Sequence, residues 1–203
     1  MYFFKKDSLI LLALIFTNFG CESKRDAIGA DNEIIVICSD IDKDNVETFL
    51  TLVFNDSLYT PEPEPFYVLK FSSPESYSKL KKQTNVVVAA IDRDSANTGL
   101  KLIKSILPAK QRKNMVLNDP IIVAKNVHAN HQLFMVINAN SYDHLLGFVD
   151  TKRNYIKRNF HEQFIDRQSR FLFSQNNINP LRDSLLAEFG WSLELPWGWG
   201  IVK

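Results

Sequence analysis

The chain has 203 residues, 45% of them hydrophobic, which suits one compact domain or two small ones. Its 24 Lys plus Arg against 23 Asp plus Glu, a net charge of +1, exclude the global electrostatic attraction by which nucleic-acid binders work, so no nucleic-acid partner is expected. With only Cys21 and Cys38, a disulfide framework is excluded as well.

The first element is an export signal: Lys5 and Lys6, then the apolar run LILLALIF from Leu9 to Phe16, then TNFG ending at Cys21. As a helix that run reaches about 12 Å, far short of the ~30 Å hydrocarbon core that a spanning helix must cross. A permanent transmembrane anchor is therefore not expected. An ordinary signal peptidase prefers small residues at the last and third-last positions, and of Gly20 and Asn18 only Gly20 suits it. Gly20 followed by Cys21 resembles the lipobox of bacterial lipoproteins, although Asn18 stands where Leu is usual and Phe19 where a small residue is usual. The resemblance implies that the Cys21 thiol is diacylglycerated and the mature amino terminus acylated, palmitate being the typical chain. Several such chains bind a membrane stably. Glu22, in second place, resembles the default routing to an outer membrane, and the mixed charges of ESKRD do not resemble an acidic surface-export run, so a periplasm-facing position is expected. The alternative is an exported protein whose Cys21 is unmodified.

Residues 1–20 are thus expected as a signal peptide, 21–32 (CESKRDAIGADN) as a flexible tether and 33–203 as one α/β domain. EIIVICS is a β-branched run of the kind buried on both faces of a sheet. DNVETFLTLVF then places Val46, Phe49, Leu50 and Val53 at helical spacing, with Asp44 and Glu47 as a capping-box start. NDSLYTPEPEP predicts a turn region before the strand FYVLKFS. Pro74 opens a short helix with Tyr77 and Leu80 on one side. The strand NVVVAAI and the helix SANTGLKLIKSIL follow, the helix ending at Pro108.

IIVAKNVHANHQLFMVINA predicts two strands in a hairpin around HAN. From Ser141 to Ser174 a long helical pattern puts Leu145, Val149, Ile156, Phe160, Phe164 and Phe171 on one stripe, with a break expected near Gly147 or Asp150. Arg158 and Glu162, like Asp166 and Arg170, stand four apart on its polar side. NPLRDSLLAEFG predicts a helix stopped by Gly190, and WSLELP a last strand. The sum is an α/β sandwich with a mixed sheet and a long helix toward the C-terminus.

Chemistry is sparse along this frame. NEIIVICSDIDKDNVETF and NVVVAAIDRDSANTGLKL both run strand, Asp-x-Asp, helix, so Asp40 with Asp42 or Asp92 with Asp94 would suit Mg²⁺ at strand ends, as in phosphotransferases of the haloacid dehalogenase type. Helix capping explains the same residues. DIDKDN also begins like an EF-hand loop, but Asn45 and Thr51 break that pattern. His161-Glu162 opens like a zincin helix and fails at Ile165. His128 and His131 flank the hairpin turn without a third metal ligand in view, and Cys38 sits in an apolar run where a thiol behaves as a small hydrophobe. No Walker loop, G-x-S-x-G or dinucleotide fingerprint is present, and no cofactor is expected. Trp197 and Trp199 in PWGWG would stack on a sugar ring or fill a seam between domains.

Five stretches together carry a wider resemblance: TPEPEPFY (Thr60 to Tyr67), NVVVAAID (Asn85 to Asp92), AKNVHANHQLFMVINA (Ala124 to Ala139), NFHEQFIDRQSR (Asn159 to Arg170) and FGWSLELPWGW (Phe189 to Trp199). They resemble a lipoprotein family of Bacteroidetes-type envelopes, the domain-of-unknown-function family 4837. The similarity runs from Ile34 onward and covers the N-terminal half of that family, whose members continue into a second half. It implies location and broad class and no catalytic residues. The expectation is a membrane-anchored envelope lipoprotein, a binding or structural module held by lipid at Cys21 and able to meet an envelope protein partner. The alternatives are a Mg²⁺-dependent phosphohydrolase using an Asp-x-Asp pair and a glycan-binding module using Trp197 and Trp199.

Overall fold

The computed structural model describes residues 24–193, apart from 60, 92 and 174–179, together with 196. The signal, Cys21, Asp92, Trp197 and Trp199 lie outside the described residues. In chain order come β1 (Glu33–Ile37), α1 (Asp40–Val53), β2 (Ser57–Tyr59), β3 (Pro63–Pro65), β4 (Val68–Ser72), a 3-10 turn (Pro74–Ser76), α2 (Tyr77–Leu80), β5 (Asn85–Ala90) and α3 (Thr98–Ile106). They continue with α4 (Ala109–Leu117), β6 (Ile121–Lys125), β7 (Leu133–Asn138), α5 (Tyr142–Leu146), α6 (Val149–Phe173) and α7 (Pro180–Phe189).

The main sheet has the order β4-β1-β5-β7-β6, with β4, β1, β5 and β7 parallel and β6 antiparallel to β7. This is the mixed-sheet α/β architecture expected from strands alternating with helices, including the hairpin around HAN. The three central strands are buried on both faces, which is why their sequences are continuous apolar runs and not alternating ones. Ile34, Val36, Val87, Ala89, Met135 and Ile137 point to one face, where they meet Phe49 and Leu50 of α1, Leu145 of α5, and Ile156 and Phe160 of α6. Ile35, Ile37, Val86, Val88, Phe134 and Val136 point to the other, against Leu100 and Ile103 of α3 and Met115 of α4. Period two along each strand sorts the two cores.

Several elements depart from the sequence expectation. α1 begins at Asp40, four residues before the Asp44 start, because Ser39 takes the extended N-cap conformation and Asp40 and Asp42 then occupy the dipole-favoured first turn. The turn region after it contains a small antiparallel ladder of β2 with β3, its prolines on a short exposed edge where no ladder donor is lost. α4 follows Pro108 directly; only Met115 of it is buried, too little apolar periodicity to signal a helix. The long pattern does break at Gly147, and α6 then buries Ile156 and Phe160 but leaves Phe171 66% exposed. α7 ends as expected at Gly190, whose φ of +73° suits glycine. Trp191–Leu193, expected to begin a last strand, are not in one.

The stretch expected as a tether is described from Lys24, and from there it is bonded to the N-terminal edge of the sheet. Ala27 is buried and its amide donates to Asn130 O at 2.8 Å, the Ile28 amide donates to Lys82 O at 3.1 Å, and the Thr84 amide donates to Ile28 O at 2.9 Å. Asp31 takes Arg167 and Gln168 of α6 as partners, tying the long helix to the same edge.

Candidate functional site

Two places in this frame merit the question of function. One is the crevice at the carboxyl ends of β1 and β5. From β1 the chain crosses outward to β4 and then returns to the other side as β5, so these neighbours form the topological switch point at which α/β sheets commonly bind ligands. Asp40, Asp42 and Asp94 fall there, because they follow the two adjacent parallel strands.

Their side chains are engaged with the protein itself. Asp40 is exposed in the first turn of α1, while Asp42 is 1% exposed and accepts from Asn97 Nδ2 at 2.7 Å. Asn97 also caps α3, its Oδ1 accepting from the Leu100 amide at 3.0 Å. Asp94 Oδ1 accepts from the Ala96 amide at 2.7 Å. Arg93 spans to the next strand, donating to Asn138 Oδ1 at 2.7 Å and to Ala139 O at 3.2 Å. A Cβ on Gly99 would come 2.8 Å from Ala89 O and 3.3 Å from Ser39 N, so the start of α3 packs against the backbone of β5 and of the turn that follows β1. Capping and inter-element bonding thus account for Asp42, Asp94 and Asn97. Among the described residues no three His, Cys, Asp or Glu side chains are grouped to hold a metal. Cys38 sits below this crevice, and burial, then the carboxylates of Asp42 and Asp40, push its thiol up to about 12. A thiol held in that state is a poor nucleophile.

The second place is a cleft of about 540 Å³ between the β2–β3 ladder and α6. Leu58, Phe66 and Tyr67 supply its apolar wall; Asp56, Lys157, Arg158 and His161 supply its charged and polar lining. The wall is stiff because it rests on interlocked rings. Tyr67 lies 5.1 Å from Phe54, 4.8 Å from Phe66 and 6.1 Å from Phe160 between ring centroids, and Phe66 lies 5.0 Å from Phe164. Lys157 Nζ reaches Asp56 at 2.6 Å, Arg158 Nε lies 3.9 Å from Glu162, and the His161 ring completes the polar lining. Tyr67 is only 7% exposed, and its hydroxyl has no hydrogen-bond partner among the described residues. Burial, then the nearby Asp56 carboxylate, raises its pKa, so the hydroxyl stays protonated and is a donor in search of an acceptor.

The histidines of the hairpin turn divide. His131, at φ +54°, places Nδ1 3.2 Å from Asp166 of α6. His128 places Nε2 2.7 Å from the Tyr77 hydroxyl, packed on Phe134. Burial, then Lys81, Lys24 and Lys82, lower the His128 pKa below its ordinary 6.5. A base whose folded pKa is depressed binds fewer protons folded than unfolded, so stability rises with pH across that window. The folded state is therefore expected to keep its full His128 contribution above about pH 6.5 and to lose it as pH falls through the lower folded value. Urea unfolding midpoints compared at pH 7.5 and pH 5 check this: His128→Asn should flatten the slope, and an unchanged slope would assign it elsewhere.

The cleft was not legible in the sequence. Its residues come from three separated segments, and NDSLYTPEPEP predicted a turn region. Comparison with known proteins adds one match: residues 27–173 fit a family model described as a domain of unknown function (DUF8532). The family is an uncharacterised one, as the resemblance implied, and its model carries the number 8532. No curated protein and no solved structure matches the chain.

Proposed function

The chain belongs to the DUF8532 family, and on that premise we propose that it is a membrane-anchored envelope lipoprotein whose α/β domain binds a small apolar molecule bearing an acidic group in the cleft beside α6. The observation that carries the binding reading is the Tyr67 hydroxyl: a protonated donor without a partner among the described residues, in the aromatic wall of a cleft that Lys157, Arg158 and His161 also line. A buried unpaired donor costs free energy that a bound acceptor would return. The anchoring half rests on the lipobox-like Gly20-Cys21 after a short apolar run, and kinship with the lipoprotein family numbered 4837 belongs to the same proposal. No helix among the described residues is long and apolar enough to cross a membrane; in this reading lipid at Cys21 makes the attachment.

Anilinonaphthalene sulfonate, an apolar aromatic anion, is a suitable probe for the cleft. The full chain is expected to bind it with enhanced fluorescence. Tyr67→Phe should weaken binding about tenfold, the worth of one hydrogen bond to a charged group, and Leu58→Trp should abolish it by filling the space. Equal affinity in all three proteins would overturn the cleft as the site. For the anchor, wild type is expected to enter the detergent phase with acyl mass on a chain that begins at Cys21, and Cys21→Ala to remain aqueous. A wild type that stays aqueous without added mass would overturn it.

A further inference from the structure

The point at which the chain joins the sheet has a directional consequence. Lys24, the first described residue, donates from Nζ to Asn126 O at 2.7 Å and to Val127 O at 3.0 Å, in the loop between β6 and β7. Only Glu22 and Ser23 separate it from Cys21. Three steps of extended chain reach about 10 Å at most, so a lipid on Cys21 holds this edge of the sheet close to the bilayer.

The edge also has the chemistry of a membrane-facing surface. The Arg25 carbonyl accepts from the Asn130 amide at 2.9 Å, the Lys82 carbonyl from the Ile28 amide at 3.1 Å, and the Lys81 carbonyl from Gln132 Nε2 at 2.7 Å. Lys24, Arg25 and Lys81 therefore meet the loop between β6 and β7, Lys82 joins them through the Ile28 amide, and Lys24, Arg25 and Lys82 are exposed. Ile28, 58% exposed, lies beside them, and the acidic side chains of this edge have cationic or polar partners: Asp26 and Asp166 face His131 at 3.9 and 3.2 Å, Asp31 meets Arg167 and Gln168, and Glu33 meets Lys70. The opposite edge carries exposed Asp40, Asp44, Asp94 and Asp143, with Lys43 and Arg93 between them. β5 alone separates the two edges by six residues, roughly 20 Å.

We propose that the N-terminal edge of the sheet, through Lys24, Arg25, Lys81, Lys82 and Ile28, docks on an anionic phospholipid bilayer and holds the carboxyl-end crevice away from it. The proposal rests on the lipid at Cys21 and adds orientation to it. Basic side chains within a Debye length of an anionic surface are drawn to it, and a lone apolar side chain among them enters the headgroup layer. The anchor alone fixes distance; the patch fixes which face looks inward.

The test uses the full acylated chain, spin-labelled at Lys82→Cys or at Ser95→Cys and reconstituted in vesicles of three parts phosphatidylcholine to one part phosphatidylglycerol. Buried Cys38 is not expected to take the reagent. A water-soluble nickel relaxer should reach the Ser95 label at least about threefold more effectively than the Lys82 label, and high salt or pure phosphatidylcholine should remove the difference. Equal accessibility on protein whose intact mass confirms acylation overturns the docking while leaving the anchor standing. Protein without acyl mass overturns the anchor, and the orientation with it.

Discussion

Phe160→Ala is expected to destabilise the domain by about 3–5 kcal/mol, the usual cost of emptying a large aromatic from a packed core. Phe160 is 1% exposed and stands between α6 and the sheet, 4.9 Å from Phe54 and 6.1 Å from Tyr67 between ring centroids. Its loss opens a cavity directly behind the cleft wall. Probe binding should therefore weaken at urea concentrations where the variant is still folded, because Tyr67 loses the ring that holds it. A urea series following tryptophan emission and probe fluorescence in parallel checks both effects. If the variant unfolds within about 1 kcal/mol of wild type, α6 is not packed on the sheet in the way described.

Asp42→Ala is expected to cost about 2–3 kcal/mol, whereas Asp40→Ala should stay within about 1 kcal/mol. The difference follows from position. Asp42 is buried and charge-assists the bond from Asn97, which in turn caps α3; Asp40 is exposed and contributes through the helix dipole. The pair also separates the two functional readings of this crevice. A Mg²⁺-dependent hydrolase would place its nucleophile at the first Asp, so Asp40→Ala would abolish Mg²⁺ binding with little change in stability. Isothermal titration with Mg²⁺ beside urea unfolding of both variants decides it. Stability loss confined to Asp42→Ala, with no Mg²⁺ heat in wild type, leaves the motif as architecture.

Much of the frame was legible because burial writes itself into local sequence. NVVVAAI and EIIVICS are unbroken apolar runs, which only strands covered on both faces require, and Ile156 and Phe160 fall at helical spacing because α6 buries one stripe. Elements with little to bury were harder. α4, with one buried residue, and the proline-edged ladder of β2 and β3 carry no periodic signal, and the true start of α1 was hidden because Ser39-Asp40 and Asp44-Glu47 are both acceptable caps. Phe171 was placed on the apolar stripe of α6 by spacing alone, yet it is exposed in the last turn of that helix.

The sites divided along the same line. The sequence alone determined the class of fold, a break near Gly147 or Asp150, the stop at Gly190, and the repeated Asp-x-Asp after two strands, since each is a local pattern of side chains a few residues apart. Only the tertiary structure decided what those patterns do. It set β1 beside β5, so that Asp42 found Asn97 across 55 positions of chain, and it brought Leu58, Tyr67 and His161 around one cleft. It also gathered Lys24, Arg25, Lys81 and Lys82 at one edge, a basic face that disappears in a composition of 24 cations and 23 anions. Such sites are made by residues far apart in the chain, and their chemistry exists only once the sheet has fixed who stands next to whom.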